Sequence, residues 1–163
     1  MILVCASELI PDAFKNNTHL ETINFKDSSS IAFIDSTAFE STKYVSSLTT
    51  KGEEIRFVNV LYKASKDDLK AETVVMDNSI ISISNKAYEG AKCKYITFSN
   101  NLKYIGQGAF ANCEELTEIV LPTTLEQIDA SAFENCGKLA IVSFNSTNGL
   151  TTINDRAFAN TTS

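Results

Sequence analysis

The chain has 163 residues, 44% of them hydrophobic, and a formal net charge of −6, which gives enough apolar material for one well-buried core and too little for two. Its 14 Lys and Arg are scattered from Lys15 to Arg156 with no run of three, so the basic stripe that phosphate backbones require is missing and nucleic acid is excluded as an expected partner. The longest apolar run, residues 2–6 (ILVCA), is far below the roughly 18 residues a membrane span needs and lacks the charged start of a secretory signal, so neither membrane insertion nor a signal peptide is expected of this chain.

An Ala-Phe pair recurs at Ala13-Phe14, Ala38-Phe39, Ala109-Phe110, Ala132-Phe133 and Ala157-Phe158, with Ala87-Tyr88 as a variant. The aromatic spacings are 25, 49, 22, 23 and 25 residues. A repeat at 20 to 50 residues is the sequence sign of a stacked array. The gap of 49 is two periods, which puts a degenerate copy at Ala64-Ser65.

In chain order, the first unit has Leu9 five residues before its Phe, then Leu20, Ile23 and Phe25. The second has Ile34, an expected strand with Ser47 and Thr49 facing outward, and a longer loop around residues 51–54 (KGEE). The third keeps Val60, Val74 and Met76 but lacks the aromatic, a Cys and a Pro. The fourth has Ile83, Cys93, Ile96 and Phe98; the fifth has Ile105, Leu116, Ile119 and Leu121; the sixth has Ile128, Leu139, Val142 and Phe144. A seventh begins at Ile153. The final positions of each unit alternate inward and outward, so each unit is predicted to carry one short half-buried strand.

The Ala-Phe segment reads as a single helical or 3-10 turn. Asp35, Ser84, Asp129 and Asn154, four residues before the aromatic, are of types that accept hydrogen bonds from free turn amides. Asn16, Gly90, Asn112, Asn135 and Asn160, two residues after it, are of types that tolerate a left-handed conformation. So short a turn is not stable alone and depends on the Phe, whose burial is worth roughly 1.5 to 3 kcal/mol.

The pattern Ile-x-x-x-Ala-Phe-x-x-Cys-x-x-Leu-x-x-Ile-x-Leu-Pro, clearest from Ile105 to Pro122 and again from Ile128 to Phe144, resembles the BspA-type leucine-rich repeat. The resemblance implies an α/β leucine-rich repeat solenoid, a right-handed superhelix. Short parallel strands would line its concave side, with loops and short helical or 3-10 turns on the convex side. It covers nearly all of residues 1–163, which read as one domain of about seven units of 22–26 residues with the third degenerate. No polar cap is recognisable at either end, so an excerpt of a longer array is expected. Proteins of this kind are associated with adhesion, so the resemblance also implies a cell-surface or secreted location.

Catalytic and metal chemistry find little support. Cys5, Cys93, Cys113 and Cys136 are never closer than 20 residues apart, unlike the paired spacing of zinc ligands, so no metal and no cofactor are expected. Cys113 and Cys136 share one slot and read as stacked buried thiols, with a disulfide between adjacent coils as the alternative. The lone His19 cannot supply both a base and its orienter and reads as a solvated loop residue. Residues 105–108 (IGQG) lack the third Gly and the Lys of a phosphate loop. Asn-x-Thr sites at Asn16, Asn145 and Asn160 permit export without indicating it.

What remains is a surface. The outward strand positions Thr73, Val75, Tyr95, Thr97, Glu118, Val120, Ile141 and Ser143 form the candidate concave binding face, after Thr22 and Asn24 in the first unit. Val75, Tyr95, Val120 and Ile141 are expected to line up as an apolar ridge on successive coils at about 5 Å intervals. The expected function is non-enzymatic: a protein- or glycan-binding module of a surface adhesin. The alternative is a structural spacer or intracellular scaffold that self-associates through open solenoid ends.

Overall fold

A computed structural model describes residues 2–4, 8–25, 31–49, 52–144 and 149–161. Cys5 and Asn145 lie outside the described residues. In chain order the elements are β1 (Ile2–Val4), β2 (Glu8–Leu9), β3 (Ile23–Phe25), β4 (Phe33–Ile34), α1 (Lys43–Thr49), β5 (Ile55–Phe57), β6 (Val60–Lys63), a 3-10 helix (Asp68–Lys70), β7 (Thr73–Val75), β8 (Ser82–Ile83), β9 (Tyr95–Thr97), β10 (Tyr104–Ile105), β11 (Glu118–Leu121), β12 (Gln127–Ile128), β13 (Ile141–Phe144) and β14 (Thr152–Ile153).

These strands stack into a parallel-stranded solenoid. β7, β9, β11 and β13 lie side by side in one parallel sheet, and β1 pairs with β3 in the same sense. A second parallel ladder joins β6, β8, β10, β12 and β14, and β2 pairs with β4. Each regular coil therefore carries two strands, where the sequence predicts one. The extra strand holds the aliphatic residue five before the aromatic. Its buried backbone needs partners, and the identical segment of the next coil supplies them: the Gly106 amide donates to the Ile83 carbonyl and the Asp129 amide to the Ile105 carbonyl, both at 2.9 Å.

The Ala-aromatic segment is neither an α-helix nor a 3-10 helix but a run of overlapping turns. Residues two after the aromatic are left-handed, as expected: Asn16, Asn112, Asn135 and Asn160 have φ between 59° and 61°, and Gly90 has φ 73°. Residues two before it are left-handed too, at Asp12, Lys86, Gly108, Ser131 and Arg156. Between these two left-handed residues, successive amides point in different directions. Those of Ala109, Ala111 and Cys113 close turns within their own coil, onto Gly106, Gly108 and Phe110. Those of Gly108, Phe110 and Asn112 donate along the stack to Ala130, Ala132 and Glu134 at 3.0, 2.8 and 2.8 Å. Of the four predicted turn-capping side chains, only Asp35 accepts from a turn amide, that of Thr37 at 2.8 Å. Ser84, Asp129 and Asn154 bond to neighbouring coils instead.

The aromatics form columns inside the coil. Phe14 stacks on Phe39 at 5.3 Å between centroids, and Tyr88, Phe110, Phe133 and Phe158 continue a second column at 5.1 to 5.2 Å. Between the columns the third coil breaks the pattern, and the core divides there into two clusters, one running from Leu9 to Tyr62 and the other from Leu61 to Ala157. β5 and β6 form an antiparallel hairpin in place of an Ala-aromatic turn. Phe57 and Tyr62 cover Phe39, their rings 4.8 and 6.1 Å from it. Leu61, not Val60, takes the aliphatic slot, paired with Ile83.

The second coil departs as well. Ser47 and Thr49 lie in α1, not in a strand. The Thr42 hydroxyl accepts the Val45 amide at 3.2 Å and starts the helix. Tyr44, Val45 and Leu48, at helical spacing, pack on the first core cluster, so a 3.6-residue period overrides the alternation read from the sequence. In β13, Val142 and Phe144, expected inside, are 37% and 43% exposed, because no described coil covers them.

Candidate binding surface on the strand sheet

The sheet of β7, β9, β11 and β13 presents one face to the core and one to solvent. Val74, Ile96 and Ile119 pin the first three strands, at 2%, 7% and 1% exposure. Their neighbours along each strand must therefore point outward. This holds for Thr73, Val75, Tyr95, Thr97, Glu118, Val120 and Ile141, all exposed, while Ser143 is half-buried.

The strand register arranges these residues in two rows. Thr73, Tyr95, Glu118 and Ile141 pair across the sheet in one; Val75 and Thr97 begin the other, which Val120 and Ser143 complete. The four apolar side chains, 72% exposed at Val75, 47% at Tyr95, 42% at Val120 and 52% at Ile141, thus alternate between rows. They form a checkerboard rather than the straight ridge expected, because Val75 and Val120 sit at the third strand position while Tyr95 and Ile141 sit at the first. Diagonal neighbours on a sheet lie about 7 to 8 Å apart, still within reach of an aromatic ring.

A depression of about 300 Å³ lies between β9 and β11, lined by Tyr95, Thr97, Phe98, Glu118, Val120 and Pro122 among others. Phe98 and Pro122 supply its apolar base, and Asn100 adds an amide at the rim. Such a site combines an aromatic face, aliphatic contacts and a few polar groups, the mixture a shallow recognition surface needs. At the strand entry, ion pairs tie coil to coil: Lys94 to Glu72 at 2.9 Å and Lys138 to Glu115 at 2.7 Å. The hydrogen bond to Glu72 raises the Lys94 pKa, and the one from Lys138 holds the Glu115 carboxyl below its ordinary value.

The other sequence candidates resolve simply. Cys93, Cys113 and Cys136 are buried free thiols; Cys113 Sγ donates to the Tyr88 carbonyl at 3.3 Å and Cys136 Sγ to that of Phe110 at 3.2 Å. Contacts of Cys113 with Cys136 and Cys93, together with burial, push its thiol well up. His19 is exposed beside Thr18. Among the described residues, no three His, Cys, Asp or Glu come together in a metal-binding set, and no helix is long and apolar enough to cross a membrane. The sequence reading missed a second concavity, at the third coil. Its only signal was Ser65 standing where an aromatic is due.

Comparison with known proteins bears on the whole chain. Among solved structures, a leucine-rich cell surface protein from Faecalibacterium prausnitzii A2-165 is similar at a TM-score of 0.55 and 17% identity, over 95% of this chain and 55% of that one. A leucine-rich repeat protein from Bacteroides ovatus ATCC 8483 shares 21% identity at a TM-score of 0.49, over 89% of this chain and 42% of that one. The chain thus spans about half the length of these structures, covering 55% and 42% of them. At 17% identity the likeness to the F. prausnitzii protein concerns the fold alone. No curated protein matches the chain. The family model described as a BspA type leucine-rich repeat region matches six copies over residues 6–62 and 59–163. With nearly every coil accounted for, the chain belongs to the BspA-type leucine-rich repeat family.

Proposed function

We propose that the chain is a non-enzymatic recognition module whose strand sheet binds a protein or glycan, as part of a surface adhesin. The observation that carries this reading is the checkerboard of Val75, Tyr95, Val120 and Ile141 beside the depression between β9 and β11. Four exposed apolar side chains grouped on one sheet face are costly to leave in water and mark a contact surface more often than scattered ones do. The polar squares, Thr73, Thr97, Glu118 and Ser143, supply hydroxyls and a carboxylate that fix the orientation of what binds. A position outside a cell accords with the F. prausnitzii relative, which is described as a cell surface protein.

The test is an array of glycans and extracellular proteins probed with the wild-type chain and with a Tyr95→Asp, Val120→Asp double variant. Ligands of the wild type should weaken at least about tenfold on the variant. Both substitutions are at exposed positions, so the melting temperature serves as the control. Equal binding by a folded variant would remove the strand face from consideration.

A further inference from the structure

The regular coils hand main-chain hydrogen bonds from one turn to the next, and the hand-over stops at the third coil. The Phe14 and Asn16 amides of the first turn reach the Ala38 and Glu40 carbonyls at 2.7 and 2.9 Å. In the second turn the equivalent groups are the amides of Phe39 and Ser41. Tyr62 packs on Phe39 there, its hydroxyl donating to the Ser36 carbonyl. The Ser41 amide has no acceptor among the described residues. On the far side, in the fourth turn, the Ala87 carbonyl receives the Ala64 amide at 3.1 Å, while the Asn85 and Glu89 carbonyls receive no donor among the described residues.

The second and fourth turns touch where they begin. Ser84 Oγ donates to the Ile34 carbonyl at 2.5 Å, and Asn85 Nδ2 donates to Asp35 Oδ2 at 2.6 Å. Beyond that contact a notch of about 620 Å³ opens, with Glu40 and Ser41 on one wall, Glu89 on the other, and Val45, Tyr62 and Leu69 among its apolar lining. This volume is within the range of about 300 to 1,000 Å³ typical of ligand sites. Lys63 lies at the same notch and forms no ion pair among the described residues.

We propose that this notch binds a short peptide segment through its main chain, the peptide taking the outer hydrogen-bonding places that the third coil leaves unfilled on either side of the Ala64 amide. The repeat register defines what must enter. In every regular turn, the carbonyl of the residue after the aromatic and the amide of the next residue belong to one peptide group, which spans the two neighbouring coils. In the notch, one such group accepts from the Ser41 amide and donates to the Glu89 carbonyl. The residue that follows it must be left-handed, as Asn112 and Asn135 are, which favours Asn or Gly there. A second amide, four residues earlier in repeat register, meets the Asn85 carbonyl. A polypeptide offers two amides at that separation; the N-acetyl group of a sugar offers one. Apolar side chains of the segment rest on Tyr62 and Leu69, and an acidic one answers Lys63. The site lies on the turn side and does not depend on the strand face.

The probe is the peptide acetyl-Gly-Ala-Phe-Ala-Asn-Ser-amide, the chain's own fifth turn with Ser for Cys. Binding is followed by NMR at the Ser41 amide, alongside the same peptide N-methylated at Asn and a Ser46→Trp variant whose indole fills the notch from exposed α1. The expected result is saturable binding that slows hydrogen exchange at Ser41, loses about tenfold on N-methylation and disappears in the variant. No saturation up to about 10 mM, equal binding of the N-methylated peptide, or full competition by N-acetylglucosamine would overturn the proposal.

Discussion

The rings of Phe110 and Phe133 lie face to face, their centroids 5.2 Å apart and their planes within 5° of parallel. Both are fully buried, and each also stacks on the aromatic of the coil beyond. Phe133 therefore anchors its own turn and two interfaces at once. Replacing it with Ala should cost about 3 to 5 kcal/mol through lost burial and the cavity left behind, measured by denaturant unfolding. A loss below about 1 kcal/mol would show that the ring is not an anchor.

Ion pairs between coils give the protein an acid limit. Glu21, Glu115, Glu126 and Glu134 are each held below the ordinary glutamate value of 4.5, chiefly by hydrogen bonds from Lys43, Lys138, Lys103 and Arg156. A carboxyl whose pKa is lower folded than unfolded adds stability above its unfolded value, and that stability is lost as pH falls through the folded value. The melting temperature should thus be level near neutral pH and fall below about pH 4.5, with a smaller fall at high salt because these pairs are exposed. A profile insensitive to salt would mean that other groups govern acid unfolding.

Tyr62 sets a limit at the alkaline end. Burial pushes its phenol up to about 12, so the folded state keeps a proton that the unfolded chain releases near 10. Stability must then decline as pH rises from about 10 toward 12. A Tyr62→Phe variant should lose about 1 to 2 kcal/mol at neutral pH, because the Ser36 carbonyl loses its partner. Its alkaline decline should be shallower than the wild type's, but not absent, since burial raises the Tyr88 phenol as well. Identical alkaline slopes would contradict this role for Tyr62.

The three described cysteines should resist thiol reagents until the chain unfolds, since Cys93, Cys113 and Cys136 are all fully buried. Peptide mapping after alkylation with and without denaturant checks this residue by residue. Labelling of Cys113 in native buffer at the denatured rate would require local opening of the fourth and fifth coils.

Division of the core at the third coil predicts two cooperative units. Hydrogen exchange near the unfolding midpoint should group the amides near Phe39 apart from those near Phe133. Exchange of all core amides as one set would show that the hairpin of β5 and β6 transmits stability as well as a regular coil does.

Much of this architecture was legible because the repeat is written in types that physics restricts. Ile119 and Leu121 alternate with Glu118 and Val120, and only a strand puts them on opposite faces. Asn112 and Asn135 mark left-handed positions, which few other residues occupy cheaply. Lys86, Ser131 and Arg156 take the same conformation without advertising it, so half of the turn's geometry was hidden. The helix at Ser47 was missed because its cap, Thr42, sits in a coil read as strand. The checkerboard was hidden too, since the strand row on which a residue falls depends on loop lengths in two coils at once. At Ser65 the sequence signalled a loss, but what filled it, Phe57 and Tyr62, came from outside the repeat frame.

The alternation of amides along each turn, one closing within its own coil and the next reaching the coil beyond, has a geometric consequence. Every second peptide group lies along the stack, so the segment progresses as a ribbon rather than winding about an axis of its own. A ribbon can lie on its own image in the next coil, whereas a wound segment would also have to match in phase. Side chains on its outer edge can then change without disturbing the pile, leaving each layer free to diverge while the spacing between layers is conserved.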